Sequence, residues 1–225
     1  MKQLTITLLA GLGLLAASCK KDNYDPPASQ LTGRVLYQNE AVGVRGQGGV
    51  QLELWQRGEY FRNKISVVVA QDGTYSATLF DGDYKLTRLR DNGPWQNNTD
   101  SVDVKVRGNT VVDVPVQPYY VVRNATFAKS GTTITASGLV SQAAAAGRTV
   151  EAVTLFLNYT QFVDTNNNLV GQVVKTGTDL SNLSQPLRFS FVLPSTVRSA
   201  VYARIGVKTQ GVNELFYSPV QKIEL

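Results

Sequence analysis

The chain has 225 residues, 43% of them hydrophobic and 17% charged, with 22 basic against 17 acidic side chains, one cysteine and no histidine. Those totals exclude Ser-His-Asp and Cys-His catalysis, His-ligated zinc or iron, a histidine pH switch and any disulfide within the chain. The bases are dispersed, with no run beyond Lys20-Lys21, which argues against a nucleic-acid surface.

Residues 1–18 have the form of a lipoprotein signal peptide. Lys2 gives a positive start, and an apolar run follows from Ile6 to Ala17. That run is shorter than the roughly twenty residues a bilayer-spanning helix needs, and it suits the apolar core of a secretory leader. Leu15-Ala16-Ala17-Ser18 places small residues before the lone Cys19. Acylation of Cys19 is therefore expected; an ordinary secretory leader with a free thiol is the alternative. Several acyl chains at about 0.8 kcal/mol per buried methylene anchor a protein without a spanning helix. Residues 19–30 are polar, contain Pro26-Pro27 and lack an apolar period, as a flexible tether does.

From Leu31 onward the segments alternate with period two, which marks strands with one buried face. The expected strands of the first half are Leu31–Tyr37, Val50–Trp55, Ile65–Ala70, Thr74–Phe80, Tyr84–Leu89, Ser101–Val106 and Thr110–Val116. Gln71-Asp72-Gly73, Asp81-Gly82-Asp83 and Arg107-Gly108-Asn109 supply the turn chemistry between them. Pro115 and Pro118 are expected to end the first domain near residue 117, because proline cannot donate to a sheet ladder. The second half gives Tyr119–Phe127, Thr132–Val140, Val150–Asn158, Val170–Lys175, Leu187–Leu193, Ala200–Lys208 and Leu215–Glu224. No segment carries three turns of helical spacing. The expectation is an all-β protein of two tandem antiparallel β-sandwich domains, residues 31–117 and 118–225.

Leu31-Thr32-Gly33-Arg34-Val35, Gln71-Asp72-Gly73-Thr74-Tyr75 and Phe80-Asp81-Gly82-Asp83-Tyr84-Lys85-Leu86 resemble the carboxypeptidase-regulatory or transthyretin-like sandwich. Nearly the whole mature chain resembles an uncharacterised two-domain lipoprotein family of Bacteroidota. That resemblance rests on Cys19–Tyr24, Gly93-Pro94-Trp95, Asn97–Asp100, Asp113–Val116 and Thr160–Asp164. It implies a place beside SusC/SusD-type glycan-uptake systems and an immunoglobulin-like second domain, and it carries no catalytic residue across. Two lysines precede Asp22 after the cysteine, which leaves both the cell surface and the periplasmic face of the outer membrane open.

The loop Asp91–Asp100 is the leading candidate site. An exposed Trp95 would stack on the apolar face of a sugar while Gln96, Asn97, Asn98 and Asp100 paired with its hydroxyls. The alternative is that Trp95 caps the core and the amides make turns. Trp55 falls on the face opposite Leu52 and Leu54, either exposed with Tyr60 as further sugar contacts or packed under Tyr60 and Phe61. Asp164, Asn166 and Asn168 set oxygen side chains at every second position, as a calcium loop does, but lack its glycine and late glutamate. A solvated hairpin is the plainer reading there. The overall expectation is a membrane-anchored, non-catalytic accessory lipoprotein that binds polysaccharide or supports a SusC/SusD-type complex. The rivals are a structural or protein-interaction spacer and a carboxylate-based hydrolase. No cofactor is expected beyond the lipid on Cys19.

Overall fold

A computed structural model describes residues 25–56, 64–145 and 147–225. Cys19, Tyr60 and residues 1–18, where a leader is expected, lie outside them. The described residues form two all-β domains with no α-helix.

The first domain holds β1 (Ser29–Tyr37), β2 (Glu40–Ala41), β3 (Val50–Gln56), β4 (Lys64–Val69), β5 (Thr74–Leu79), β6 (Gly82–Arg88), β7 (Ser101–Val106), β8 (Thr110–Val111) and β9 (Val114–Pro115). They join one hydrogen-bonded sheet in the order β2-β1-β5-β4-β3-β6-β7, with β8 and β9 added to β1. Alternation decides its faces. Leu31 and Val35 of β1, Leu52 and Leu54 of β3, Tyr84 and Leu86 of β6, and Val104 and Val106 of β7 are buried, and their chain neighbours point outward.

The pairing is antiparallel except where β8 and β9 run parallel to β1. This last stretch crosses close over Gly33. A Cβ there would stand 1.8 Å from the Val112 carbonyl oxygen, so only glycine fits. The expected strand Thr110–Val116 is thus two short pairings, Thr110–Val111 and Val114–Pro115, with Val112 and Asp113 between them. Pro115 sits at the end of the second, and its carbonyl oxygen accepts from Arg88 Nη1 at 2.7 Å.

The second domain has a three-stranded sheet, β10 (Tyr120–Ser130), β11 (Thr133–Gln142) and β14 (Leu187–Val192). Its five-stranded sheet contains β12 (Val150–Asn158), β13 (Gly171–Lys175), β15 (Val201–Thr209), β16 (Phe216–Tyr217) and β17 (Gln221–Ile223). Ile134, Val140, Leu155, Leu157, Leu187, Phe189, Ile205 and Val207 fill the space between the sheets. The expected single strand Leu215–Glu224 is broken at Ser218-Pro219. Ser218 Oγ accepts from Ile205 N at 3.0 Å, and proline offers no proton to continue the ladder.

Candidate functional site

Loop 91–100 is tied to the domain junction on one side and presents amides on the other. Gln96 N donates to Gln117 O at 2.9 Å, Tyr119 N donates to Pro94 O at 3.2 Å, and Trp95 bridges to Pro118. These bonds draw Trp95 inward. Its ring lies flat on Gly93, where a Cβ would come within 2.2 Å of the indole, and the residue is only 5% exposed. Trp95 is therefore a core residue. It offers no face to a sugar, and the stacking role considered from the sequence is corrected.

The amides behind it remain in solvent. Asn97 grips Asp91 twice, accepting from its backbone N at 2.9 Å and donating to Oδ1 at 2.6 Å. Asn98 does the same with Asp100, donating to Oδ2 at 2.6 Å and accepting from its backbone N. Asn92 fastens the loop to β3, accepting from Gln51 N at 2.6 Å and donating to Gly49 O at 3.0 Å. Self-bonded Asx turns of this kind hold a loop in one shape without a core beneath it.

Gln96, Asn97, Asn98 and Asp100 line a groove of about 440 Å³ with Arg88, Val102, Pro115 and Gln117. Its floor is apolar, from Leu86, Val114, Val116 and the part-exposed Val102. Burial lowers the Arg88 guanidinium below its ordinary value, and the Asp100 charge pulls it back up. Arg88 was not singled out from the sequence, because only the fold sets it beside the amide loop.

Trp55 does not join this groove. Its Nε1 donates to Thr87 Oγ1 at 3.3 Å on the outward face of β3 and β6. Arg88 and Val102 follow the opposite alternation, that of Leu86. Trp55 is half-buried, and the strand residues beside it, Lys64 and Lys85, are ion-paired to Glu53 at 2.7 Å and Asp103 at 2.8 Å.

A second hollow, of about 540 Å³, lies over Thr32, Arg34, Val68, Tyr75, Val111 and Asp113. Its two charged groups bind each other, Arg34 to Asp113 at 3.2 Å, and it contains none of the candidate residues.

The Asp164–Asn168 loop folds into the seam between the domains. Asp164 Oδ1 accepts from Asn166 N at 2.8 Å, Asn167 N at 3.0 Å and Asn167 Nδ2 at 2.9 Å. Asn166 is exposed, while the Asn168 amide donates to Thr165 O at 3.1 Å. The three side chains do not converge, so the calcium-loop arrangement is corrected to a turn held by Asp164. Among the described residues no three His, Cys, Asp or Glu side chains gather to hold a metal ion.

Beside this turn, fully buried Arg204 bonds main-chain oxygens of both domains. It donates to Ser218 O at 3.1 Å, Val44 O at 3.1 Å, Val163 O at 3.2 Å and Gln71 O at 3.4 Å. Its guanidinium lies 4.2 Å from the Tyr217 ring centroid. Burial brings its pKa down to about 10, against the pull of Tyr217, Asp164 and Asp72, and it stays charged at neutral pH. Tyr217 N donates to Gly43 O at 3.0 Å, and Arg45 forks onto Glu214 at 2.7 and 3.1 Å. Arg204 also escaped the sequence reading. It stands in the alternating strand Val201–Thr209, where nothing distinguishes it from a surface base.

The fold and groove define a class: a two-domain all-β protein with a preformed, polar-rimmed surface groove beside a braced domain junction. Residues 29–117 match the model of the DUF3823 N-terminal domain, a protein family of unknown function, and residues 120–222 match the DUF3823_C domain of unknown function. The chain belongs to the DUF3823 family.

It is similar to crystal structures of family proteins from Bacteroides ovatus and Parabacteroides merdae. The first is 38% identical, with 88% of this chain and 99% of that one covered and a TM-score of 0.80. The second is 37% identical, with 89% and 100% covered and a TM-score of 0.80. It also shares the fold of a protein from Bacteroides uniformis called a "putative carbohydrate binding protein", at 23% identity, 89% and 100% coverage and a TM-score of 0.72. No curated protein matches the chain.

Proposed function

We propose that this protein is a non-catalytic accessory lipoprotein of the outer membrane that binds glycan in the groove beside loop 91–100. The observation that carries this reading is the groove itself. Gln96, Asn97, Asn98, Asp100 and Arg88 form its polar rim over an apolar valine floor. A pyranose has the matching surface, with hydroxyls around its edge and C–H groups on its face. The rim groups are already oriented by bonds within the loop, which lowers the ordering cost of binding. The relative from Bacteroides uniformis named for carbohydrate binding supports the same reading.

Placement within the fold is consistent with it. The chain enters the first domain at Ser29, while the groove's Pro115 pairs with Leu36 toward the far end of β1. The seven residue steps from Ser29 to Leu36 span about 23 Å. A lipid on Cys19 followed by a polar tether would hold the groove end away from the bilayer, facing incoming polymer. A SusC/SusD-type uptake complex is the partner proposed, and the site needs no cofactor.

Affinity electrophoresis through a panel of polysaccharides tests this. Retardation of the wild type by at least one polymer, reduced at least tenfold in affinity by Asn98→Ala with Asp100→Ala, is the expected result. Trp95→Ala is unsuitable here, because it removes core. Wild-type mobility unchanged by every polymer would favour the second reading, an interaction spacer. The brace around Arg204, which fixes one domain on the other, is the feature that favours that reading.

A further inference from the structure

The loop between β12 and β13 exposes three large apolar side chains beside the domain seam. Tyr159 is 44% exposed, Phe162 42% and Leu169 79%. Asn158, the buried last residue of β12, holds this loop around its amide. Its Nδ2 donates to Phe162 O at 2.6 Å and to Thr160 Oγ1 at 3.2 Å, and its Oδ1 accepts from Leu169 N at 3.1 Å. The two ends of the loop thereby meet at one side chain.

More bonds fix the same stretch. Gln71 Nε2 of the first domain donates to Gln161 O at 2.8 Å, and Arg204 Nη1 donates to Val163 O at 3.2 Å. One edge of the Phe162 ring lies against Gly46 of the first domain, 3.8 Å from where a Cβ would stand. Single exposed apolar residues are ordinary on a protein surface, whereas a group of them marks a contact site. Thr160 to Val163 are each held by a hydrogen bond, so a ligand need not order the loop that receives it.

The loop presents no charge. From Ala152 to Val174 the only charged side chain is Asp164, which is wholly buried. The exposed polar groups beside the rings are the Thr160 hydroxyl and the Gln161 side-chain amide. The Thr160 oxygen accepts from Asn158, which leaves its own proton to donate outward. Aromatic rings beside uncharged donors and acceptors match a neutral sugar, whose C–H face lies on a ring and whose hydroxyls bond the polar groups. An acidic polymer finds no base on this loop, and a basic one finds no accessible acid.

We propose that Tyr159, Phe162 and Leu169, with Thr160 and Gln161, form a second glycan-contact site, one for neutral polysaccharide. It shares no residue with the groove and stands whether or not the groove binds.

The test is affinity electrophoresis of the purified protein through a panel of neutral polysaccharides. The wild type is compared with Tyr159→Ala combined with Phe162→Ala, and with the groove variant Asn98→Ala combined with Asp100→Ala. The expected result is retardation by at least one neutral polymer, with affinity reduced about tenfold in the ring variant, as loss of aromatic contacts does. Retardation should be the same in about 0.5 M sodium chloride, because no charge takes part. The ring variant should keep its Tm within about 2 °C of the wild type's, since both side chains are exposed. Should it unfold instead, Tyr159→Ala alone should weaken binding about threefold. Binding lost in the groove variant and unchanged in the ring variant would overturn the second site and leave the groove reading standing. Binding lost in the ring variant and unchanged in the groove variant would uphold the second site and overturn the groove. Binding that falls with salt would overturn the neutral ligand class. Retardation by no neutral polymer would overturn the proposal, and a SusC/SusD-like pair that co-purifies with the wild type but not with the ring variant would make this a protein-docking surface.

Discussion

Asp91–Asp100 and Asp164–Asn168 are alike in composition and opposite in use. Each is rich in Asn and Asp, and each lies between strands. Asn97 and Asn98 grip Asp91 and Asp100 from the solvent side, which keeps the first loop's polar groups available around a groove. Asp164 gathers three N–H groups of its own turn and is carried into the seam, against a loop of the other domain. The difference is what the fold sets opposite each loop. The first faces open space beyond β6, β7 and β9, whereas the second meets Gly46, Gln71 and Arg204. An Asn/Asp loop becomes the rim of an open groove or a structural brace according to its neighbour, and its own residues do not distinguish the two.

Four variants sharpen or break that contrast. Trp95→Ala should have the largest effect, a loss of about 3–5 kcal/mol, because it empties a packed site beneath the first loop. Urea unfolding measures it, and a loss under 1 kcal/mol would mean the indole is not core. Arg204→Ala should cost about 3 kcal/mol by leaving buried carbonyls unpaired on both sides of the seam. It should also split a single melting transition into two as the domains uncouple. One unchanged transition in calorimetry would show that the brace is dispensable.

Glu214→Gln weakens the largely buried fork to Arg45, whose partners are 9% and 27% exposed, and the expected loss is about 2 kcal/mol. That loss should shrink in high salt. Asn98→Ala with Asp100→Ala should change stability by less than about 0.5 kcal/mol, since both are exposed, while acting on ligand affinity. A large stability loss would make the first loop a brace as well.

The far end of the first domain supplies a pH control. Ser29 Oγ and Gly108 N both donate to Asp81 Oδ1, and these bonds hold the Asp81 carboxyl below its usual value. A carboxyl whose pKa is depressed in the folded state stabilises above its unfolded value, about pH 4, and loses that contribution as pH falls through the folded one. Asp81→Asn should flatten the acid limb of the stability curve slightly. An acid limb identical to the wild type's would show that the Ser29–Asp81 contact carries no linkage.

The period-two pattern was enough to establish the fold class, because each strand buries one face and the two periods cannot be confused over six residues. Most strand positions followed, including Ser101–Val106 and Val150–Asn158. Strand continuity was less legible. What reads as the strand Thr110–Val116 is two short pairings, and Pro219 breaks what reads as the single strand Leu215–Glu224. The candidate site was half legible. The amides of loop 91–100 were marked by composition, yet their partner Arg88 sits in a strand and reaches them only through the β6–β7 ladder.

What the sequence determined by itself was local: alternation, turn chemistry, a leader-like start and the absence of histidine. What the tertiary structure alone decided was burial between segments far apart in the chain. Trp95 turns inward because Gly93 and Pro118 receive it, and Arg204 is a brace because Val44 and Gln71 lie across the seam, 160 and 133 residues away in sequence. The physical reason is that a side chain's pattern along its own strand reports which face it occupies. The solvent or protein it meets there is set by whichever distant segment packs against that face.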